Sequence, residues 1–432
     1  MSVYYHTFGC KANQYDTERM RQELEANGLT TMGLRSDAEV VVVNTCTVTN
    51  QADADARRLI RRVHREQPNT SIVVVGCSAA LQPATYESMK GVSAVVSGHD
   101  PVTIAQAVTA KSLVQIELRT RLDRINTEPI GGELLQHRRG ASRGWLKVQD
   151  GCDRRCSFCA TRLARGPSCS RPVNQVVQEA QLLAKAHSEL VVTGIHIGHY
   201  GLDLPVSSSL AELCSVLLDR VPKIRFRLGS VEATEVDDQL LELMATSGGQ
   251  LAPHLHMPLQ SGANAVLRSM RRWHTREQYR ARALEIAARV QPLGLGADII
   301  SGFPGETDAD HRATVDLVSE LPFTYLHVFP FSPRNGTPAS GLPSAVPQRI
   351  AGERARELRE SGLNKGVAYR GNRVGSPARV VLEGEGRTGL TGDYLRVEIQ
   401  GESARPSGIF DGTLSGDAEH LRIDAPLEMC PN

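Results

Sequence analysis

Apolar positions in the first hundred residues come in short blocks. Runs at Val3–Phe8, Val40–Val43 and Ile72–Val75 are apolar on both faces, the pattern of strands buried in a parallel sheet, and helical periodicity fills the gaps. The helix predicted over 51–66 places Ala52, Ala56, Leu59, Ile60 and Val63 on one face and crowds Arg57, Arg58, Arg61, Arg62 and Arg65 onto the other. That basic stripe is either a solvated face or a surface for phosphates. A polar stretch from Arg119 to Arg143, with Pro129 and Gly131–Gly132, reads as a linker.

From Gly144 to Tyr325 the pattern alternates strand and helix. Strands are predicted at Trp145–Val148, Leu190–Thr193, Ile224–Leu228, His254–Met257, Ala297–Ile300 and Tyr325–Phe329. Helices are predicted at Pro172–His187, Val236–Thr246, Arg276–Val290 and Asp308–Leu321. Repeated βα units with right-handed crossovers imply a partial (β/α)6 barrel. A charged helix at about 348–368 precedes a Gly-rich tail with short alternating runs at Ala378–Leu382 and Tyr394–Ile399, which reads as a small β-barrel-like domain. The expected fold is therefore α/β. An N-terminal parallel domain spans 1–120, a linker 121–143, the partial barrel 144–370 and the small β domain 371–432.

Charge adds one asymmetry. The net is +1, but residues 372–432 carry −4 and the remainder +5, so a polyanion would meet the larger N-terminal part. Arg outnumbers Lys 42 to 7, which suits bidentate phosphate contacts and equally reflects a codon bias. The longest purely aliphatic run, Val40–Val43, is too short to span a bilayer, and residues 1–20 show no secretory signal, so a soluble cytoplasmic protein without a membrane partner is expected. The Walker pattern and a strand-linked GxGxxG are absent, which argues against nucleotide hydrolysis and nicotinamide chemistry.

Nine cysteines, an odd number without a signal peptide, point to metal or redox chemistry rather than disulfides. Cys152-x3-Cys156-x2-Cys159 follows the first barrel strand directly, at the end where barrel active sites form. Three thiolates favour an iron–sulfur cluster with one iron left open; no fourth ligand at zinc-finger spacing supports structural zinc. Cys10, Cys46 and Cys77 lie far apart in sequence, yet each ends an apolar strand: YYHTFG, EVVVVNT and SIVVVG precede them. In a parallel sheet those ends are neighbours, so the thiols either converge on a ligand or are buried free cysteines.

The wording of the chain then resembles a family. FGCKANQYDTE (8–18), NTCTVTNQADADARRLIRR (44–62) and VVGCSA (74–79) are similar to the N-terminal domain of the methylthiotransferases. VQDGCDRRCSFCA (148–160), VVTGIHIGHYGLDL (191–204), PHLHMPLQSGANAVLRSMRR (253–272) and ISGFPGET (300–307) resemble their radical S-adenosylmethionine domain. KxNQYDTE and NTCTVTNQAD look like the branch acting on threonylcarbamoyladenosine in tRNA; the isopentenyladenosine branch usually reads QMN near the first cysteine, and the branch acting on a ribosomal-protein aspartate reads PKN.

That resemblance implies two 4Fe–4S clusters, one on Cys152, Cys156 and Cys159 that binds and cleaves S-adenosylmethionine to a 5′-deoxyadenosyl radical, and an auxiliary one on Cys10, Cys46 and Cys77 that supplies sulfur. A second S-adenosylmethionine would give the methyl group. A tRNA substrate modified at position 37, beside the anticodon, and a reducing donor of flavodoxin or ferredoxin type are implied with them. Ser230 and Glu232 fall where the family contacts cofactor ribose and amino groups. Arg171 is expected to pair with the cofactor carboxylate. Thr193 and Gly194 end a strand on the same face, and Gly302, Pro304 and Gly305 offer a backbone close to the adenine. His196, His199, His254 and His256 are read as core or surface histidines rather than metal ligands.

Two departures stand out. LARGPSCSR puts Cys169 where the family often has arginine, and Cys169, Cys214 and Cys430 are read as non-ligands. The tail resembles the small RNA-binding barrel of TRAM type only in TGLTGDYLRVEI, and its net −4 suits RNA poorly.

Overall fold

The structure is a computed structural model describing residues 1–109, 134–383, 387–400 and 408–424. The predicted 120/121 boundary, Arg119, Arg121, Arg124 and Cys430 lie outside the described residues. The chain forms two compact units. One comprises Met1–Leu135, Gln149–Ser170 and Ser332–Ser340; the other comprises Gln136–Val148, Arg171–Phe331 and Gly341–Asn432.

The first unit is built on a five-stranded parallel sheet of β1 (Ser2–Thr7), β2 (Thr30–Thr31), β3 (Val40–Thr45), β4 (Ser71–Gly76) and β5 (Val92–Val95), in the order β2-β1-β3-β4-β5. Alternate valines supply two cores. Val41, Val43, Ile72 and Val74 pack with Ile60 and Val63 of the helix Asn50–Glu66; Val40, Val42, Val73 and Val75 pack with Met20, Leu24 and Ile104. That division explains the all-apolar runs, because each face of the strand has its own helical layer. Thr49 caps the helix Asn50–Glu66 by accepting from the Ala52 backbone N–H.

β6 (Arg143–Lys147) belongs to the second unit. The chain then enters the first unit through a short antiparallel pair, β7 (Gln149–Asp150) with β8 (Cys169–Ser170). The second unit continues with β9 (Glu189–Thr193), β10 (Arg225–Leu228), β11 (His254–His256), β12 (Gly294–Ser301) and β13 (Tyr325–Pro330). Two parallel three-stranded sheets, β10-β9-β6 and β11-β12-β13, are joined by the parallel bridges Phe226↔Leu251 and Ser230↔His256. Six parallel strands in the order β6-β9-β10-β11-β12-β13 form the expected partial barrel. Capping boxes start three of its helices: Ser209 with Glu212, Thr275 with Gln278 and Thr307 with Asp310.

The helix Gln348–Arg373 leads to a closed antiparallel and parallel barrel of β14 (Pro377–Glu383), β15 (Thr388–Thr391), β16 (Arg396–Gln400), β17 (Ile409–Gly416) and β18 (Leu421–Asp424). Val380, Leu382, Val397, Phe410, Leu414 and Ile423 fill it. It docks on the amino ends of the central strands. Arg225 and Arg227, both paired with the buried Glu189, donate to the carbonyls of Arg379 and Leu390, and of Gly392 and Thr391. Tyr394 stacks on His254 with ring centroids 4.2 Å apart. No described helix is long and apolar enough to cross a membrane.

Candidate active site

The register of the first sheet brings three cysteines level. β1 pairs with β3 up to Thr7↔Asn44, and β3 pairs with β4 up to Thr45↔Gly76, so Cys46 and Cys77 leave adjacent strand ends and Cys10 follows β1 two residues on from Phe8. Asn13 locks these ends together by donating to the carbonyls of Phe8 and Thr45, each at 2.9 Å. Gly9 sits at φ +95°, and a Cβ there would lie 2.7 Å from the Cys46 sulfur. Cys10 is exposed, whereas Cys46 and Cys77 are buried. Burial pushes the Cys46 thiol up to about 12, and the charges of Cys10 and Cys77 push in the same direction. Burial also raises Cys77, opposed by the Arg165 guanidinium.

The second group follows β7. Gly151 turns the chain at φ +66°, where a Cβ would fall 1.7 Å from the Pro167 carbonyl oxygen. Cys152 donates its N–H to the Gly166 carbonyl at 3.1 Å, and Cys159 donates to the Cys156 carbonyl at 3.3 Å. All three thiols are half-buried. Burial pushes Cys152 up to about 12, with Cys159 and Cys156 adding to it. Two sets of three soft sulfur donors, one at neighbouring strand ends and one within an eight-residue loop, fit iron–sulfur clusters bound as thiolates. Both sets lie in the same compact unit, which the predicted domain boundaries had separated.

The same unit holds a link that the motif reading missed. Arg165, from the helix Thr161–Arg165, donates its Nε–H to the Cys77 sulfur at 3.3 Å. Its only trace in sequence was an arginine in LARGPSCSR. Arg334 ties the 332–340 segment down by pairing with Asp53 and donating to Thr47 Oγ1 at 2.6 Å.

In the second unit, Thr193 is buried at the carboxyl end of β9 with Gly194 beside it, and Ser230 is exposed just past β10. Glu232 is buried and paired with Arg272; burial raises its carboxyl while Arg272 opposes the rise. Pro304 is buried, and Gly305 is exposed at φ +84° with its N–H donated to the Ser344 carbonyl at 2.9 Å.

One expectation is corrected. Arg171 is fully buried, with Nη1 and Nη2 on the two carboxylate oxygens of Glu179 at 2.9 and 3.1 Å and Nη1 also on the Lys147 carbonyl at 2.8 Å. That fork is already satisfied by protein, so it is a structural ion pair and not a partner for a cofactor carboxylate. Gly302 is small because a Cβ there would lie 2.3 Å from the Ala351 methyl; its N–H goes to the Glu306 carboxylate at 2.7 Å. Close packing against the helix Gln348–Arg373 leaves no room for a side chain at this position.

Two of the histidines share one carboxylate. His196 Nε2 lies 2.9 Å from both oxygens of Glu235, and His199 Nε2 lies 3.2 Å from one of them. Against the cost of burial, those bonds hold the Glu235 carboxyl well below the usual range. His254 and His256 both meet the Tyr325 hydroxyl, at 2.9 and 3.1 Å. Cys169 ends in β8, and Cys214 is a buried core thiol.

The arginine stripe divides by its partners. Arg58 pairs with Asp55, and Arg62 and Arg65 each lie 4.0 Å from Glu66. Arg57 and Arg61 form no ion pair among the described residues and line a groove with His64 and Lys90. Of the linker arginines, Arg138 lies over the Trp145 ring at 4.1 Å and Arg143 pairs with Glu383 at 2.6 Å and Glu189 at 3.4 Å. Those two are used in packing rather than on phosphates; Arg139 is exposed.

Comparison with known proteins fits this geometry. Residues 2–98 match the uncharacterized protein family UPF0004, and residues 146–318 match the radical SAM superfamily. A threonylcarbamoyladenosine tRNA methylthiotransferase, MtaB, of Rickettsia prowazekii is 35% identical over 379 residues, covering 87% of this chain and 86% of that protein. The Bacillus subtilis protein of the same name is 37% identical over 83% of this chain and 79% of its own length. A tRNA-2-methylthio-N(6)-dimethylallyladenosine synthase of Bacillus velezensis is 30% identical over 95% of this chain and 78% of its own length. Among solved structures, the radical S-adenosylmethionine methyltransferase TsrM of Kitasatospora setae, with tryptophan and a cofactor analogue bound, shares the fold at TM-score 0.56 and 18% identity, covering 78% of this chain and 75% of that one. The radical SAM match implies a 4Fe–4S cluster and S-adenosylmethionine, and the extent of the similarity places this chain in the methylthiotransferase family of radical S-adenosylmethionine enzymes, in the threonylcarbamoyladenosine tRNA branch.

Proposed function

We propose that this chain adds a methylthio group to C2 of N6-threonylcarbamoyladenosine at position 37 of tRNA, in the cytoplasm. The observation that carries the chemistry is that Cys10, Cys46 and Cys77 leave neighbouring strand ends in the same compact unit that holds Cys152, Cys156 and Cys159. The nucleoside rests on the relatives named for it, which span most of this chain.

Cys152, Cys156 and Cys159 would hold the cluster that binds S-adenosylmethionine, and Cys10, Cys46 and Cys77 would hold an auxiliary 4Fe–4S cluster. When bound, these groups supply a hydrogen-abstracting radical, sulfur and a methyl group, with electrons from a donor of flavodoxin or ferredoxin type. The chain's own residues then bind and orient. Thr193, Gly194, Ser230, Glu232, Gly302, Pro304 and Gly305 would contact the cofactor. Glu232, restrained by Arg272, is a buried acceptor for the cofactor's amino or ribose protons. Arg57, Arg61 and Lys90 offer phosphate contacts that position RNA without reading its bases.

The test is anaerobic incubation of reconstituted protein with S-adenosylmethionine, a reductant and tRNA carrying either N6-threonylcarbamoyladenosine or N6-isopentenyladenosine. A methylthio product on the first RNA alone is the expected result. Product on the second alone would assign this chain to the isopentenyl substrate instead.

A further inference from the structure

Arg165 is enclosed within the first unit and spends every nitrogen on a partner there. Nη1 takes both oxygens of Asp150 at 2.9 Å. Nη2 reaches Asp16 at 2.8 Å, the Asn13 side-chain oxygen at 2.5 Å and His99 Nε2 at 3.2 Å. Two carboxylates would already neutralise a buried guanidinium. The remaining donor, Nε–H, is turned on a sulfur, Cys77 Sγ, at 3.3 Å. Asn13 Oδ1 sits 3.7 Å from the same sulfur and at the end of the same guanidinium, so both are held to one geometry. Arg165 also belongs to the stretch of chain, Gln149–Ser170, that bears Cys152, Cys156 and Cys159.

We propose that Arg165 is a positioning residue for the auxiliary cluster, setting its reduction potential through the Nε–H···Sγ bond to Cys77 and tying the Cys152–Cys159 segment to it. This rests on the reading that Cys10, Cys46 and Cys77 hold that cluster. A donor aimed at a ligating sulfur, and a fixed positive charge beside it, stabilise the more negative reduced state and raise the potential. Asp150 works the other way, because its negative charge lies across the guanidinium from the sulfur. The cluster that gives up sulfur is thereby tuned from the segment that carries the other triad.

The test is a potentiometric titration, followed by electron paramagnetic resonance, of the reconstituted full chain. The auxiliary signal is the one that S-adenosylmethionine does not perturb. Arg165→Lys keeps the charge and loses the directed bond, and it lowers that midpoint by about tenfold in the reduction equilibrium, ~59 mV for one electron. Asp150→Asn, at a partly exposed carboxylate that the fold tolerates more readily, raises the midpoint. The signal that responds to S-adenosylmethionine stays put in both variants. Unchanged midpoints in both variants, or equal shifts of both signals, overturn the role given to Arg165. A wild-type chain with one cluster's iron and no second signal overturns instead the reading beneath it.

Discussion

Arg227 holds both carboxylate oxygens of Glu189, at 3.0 and 2.9 Å, and gives its Nη protons to the carbonyls of Gly392 and Thr391 at 2.8 and 2.9 Å. The turn it grips belongs to TGLTGDYLRVEI, the one part of the tail that resembles an RNA-binding barrel. In this chain that turn is committed to the amino ends of the central strands. Asp393, next in the turn, is itself held by the Tyr369 hydroxyl and Arg373 Nε, each at 2.8 Å.

Removing Glu189 leaves Arg225 and Arg227 buried without their counter-charge. Glu189→Ala is expected to cost about 3–5 kcal/mol in denaturant unfolding and to speed hydrogen exchange in 377–424. Despite the cost of burial, the charges of Arg225 and Arg227 hold the Glu189 carboxyl below its ordinary 4.5. Its contribution is therefore complete above pH 4.5 and fades as pH falls further toward the folded value. A wild-type advantage that stays constant from pH 7 to pH 3 contradicts this.

Replacing Cys152, Cys156 or Cys159 with Ala removes one of three protein ligands from the cluster assigned to them. Reductive cleavage of S-adenosylmethionine, read as 5′-deoxyadenosine, is expected to vanish in each variant. Normal yield in any one of them refutes the assignment.

Changing Cys10, Cys46 or Cys77 to Ala acts on the other group. Bound iron is expected to fall by about half, while cofactor cleavage uncoupled from product formation persists. The triple variant makes the sharper measurement: full iron content there excludes these cysteines as ligands.

Gly9→Ala tests the same centre without touching a ligand. The new methyl meets Cys46 Sγ at 2.7 Å in a backbone region that costs a side chain about 1–3 kcal/mol. Loss of auxiliary iron with the Cys152–Cys159 cluster intact is expected. Undiminished iron shows that the close approach of Gly9 to Cys46 does not matter to the centre.

Much of this was legible in sequence because strand ends announce themselves. EVVVVNT and SIVVVG run straight into Cys46 and Cys77, and a parallel sheet makes such ends neighbours. The six central strands were found because short segments with apolar residues recur between stretches of helical periodicity, even where Arg225, Arg227, His254 and His256 interrupt them. Less was visible where a residue's meaning lies in a distant partner. Nothing local shows that Arg171 is taken by Glu179, that Gly302 faces Ala351, or that Arg165 reaches Cys77. Strands β15 and β18 were missed because Thr388–Thr391 is mostly polar and Leu421–Asp424, though it alternates, is only four residues long. Cys152–Cys159 follows a barrel strand yet belongs to the first compact unit, a partition that linear boundaries do not express.

The central claim is the nucleoside, and mass spectrometry of digested tRNA tests it most directly. Cells lacking this protein, and holding no paralogue, are compared with the same cells complemented by it. The account predicts that 2-methylthio-N6-threonylcarbamoyladenosine disappears on deletion, its unmethylthiolated precursor accumulates, and complementation with the Cys152→Ala chain fails to restore it. Unchanged levels of that nucleoside, or loss of the isopentenyl derivative in its place, would contradict it.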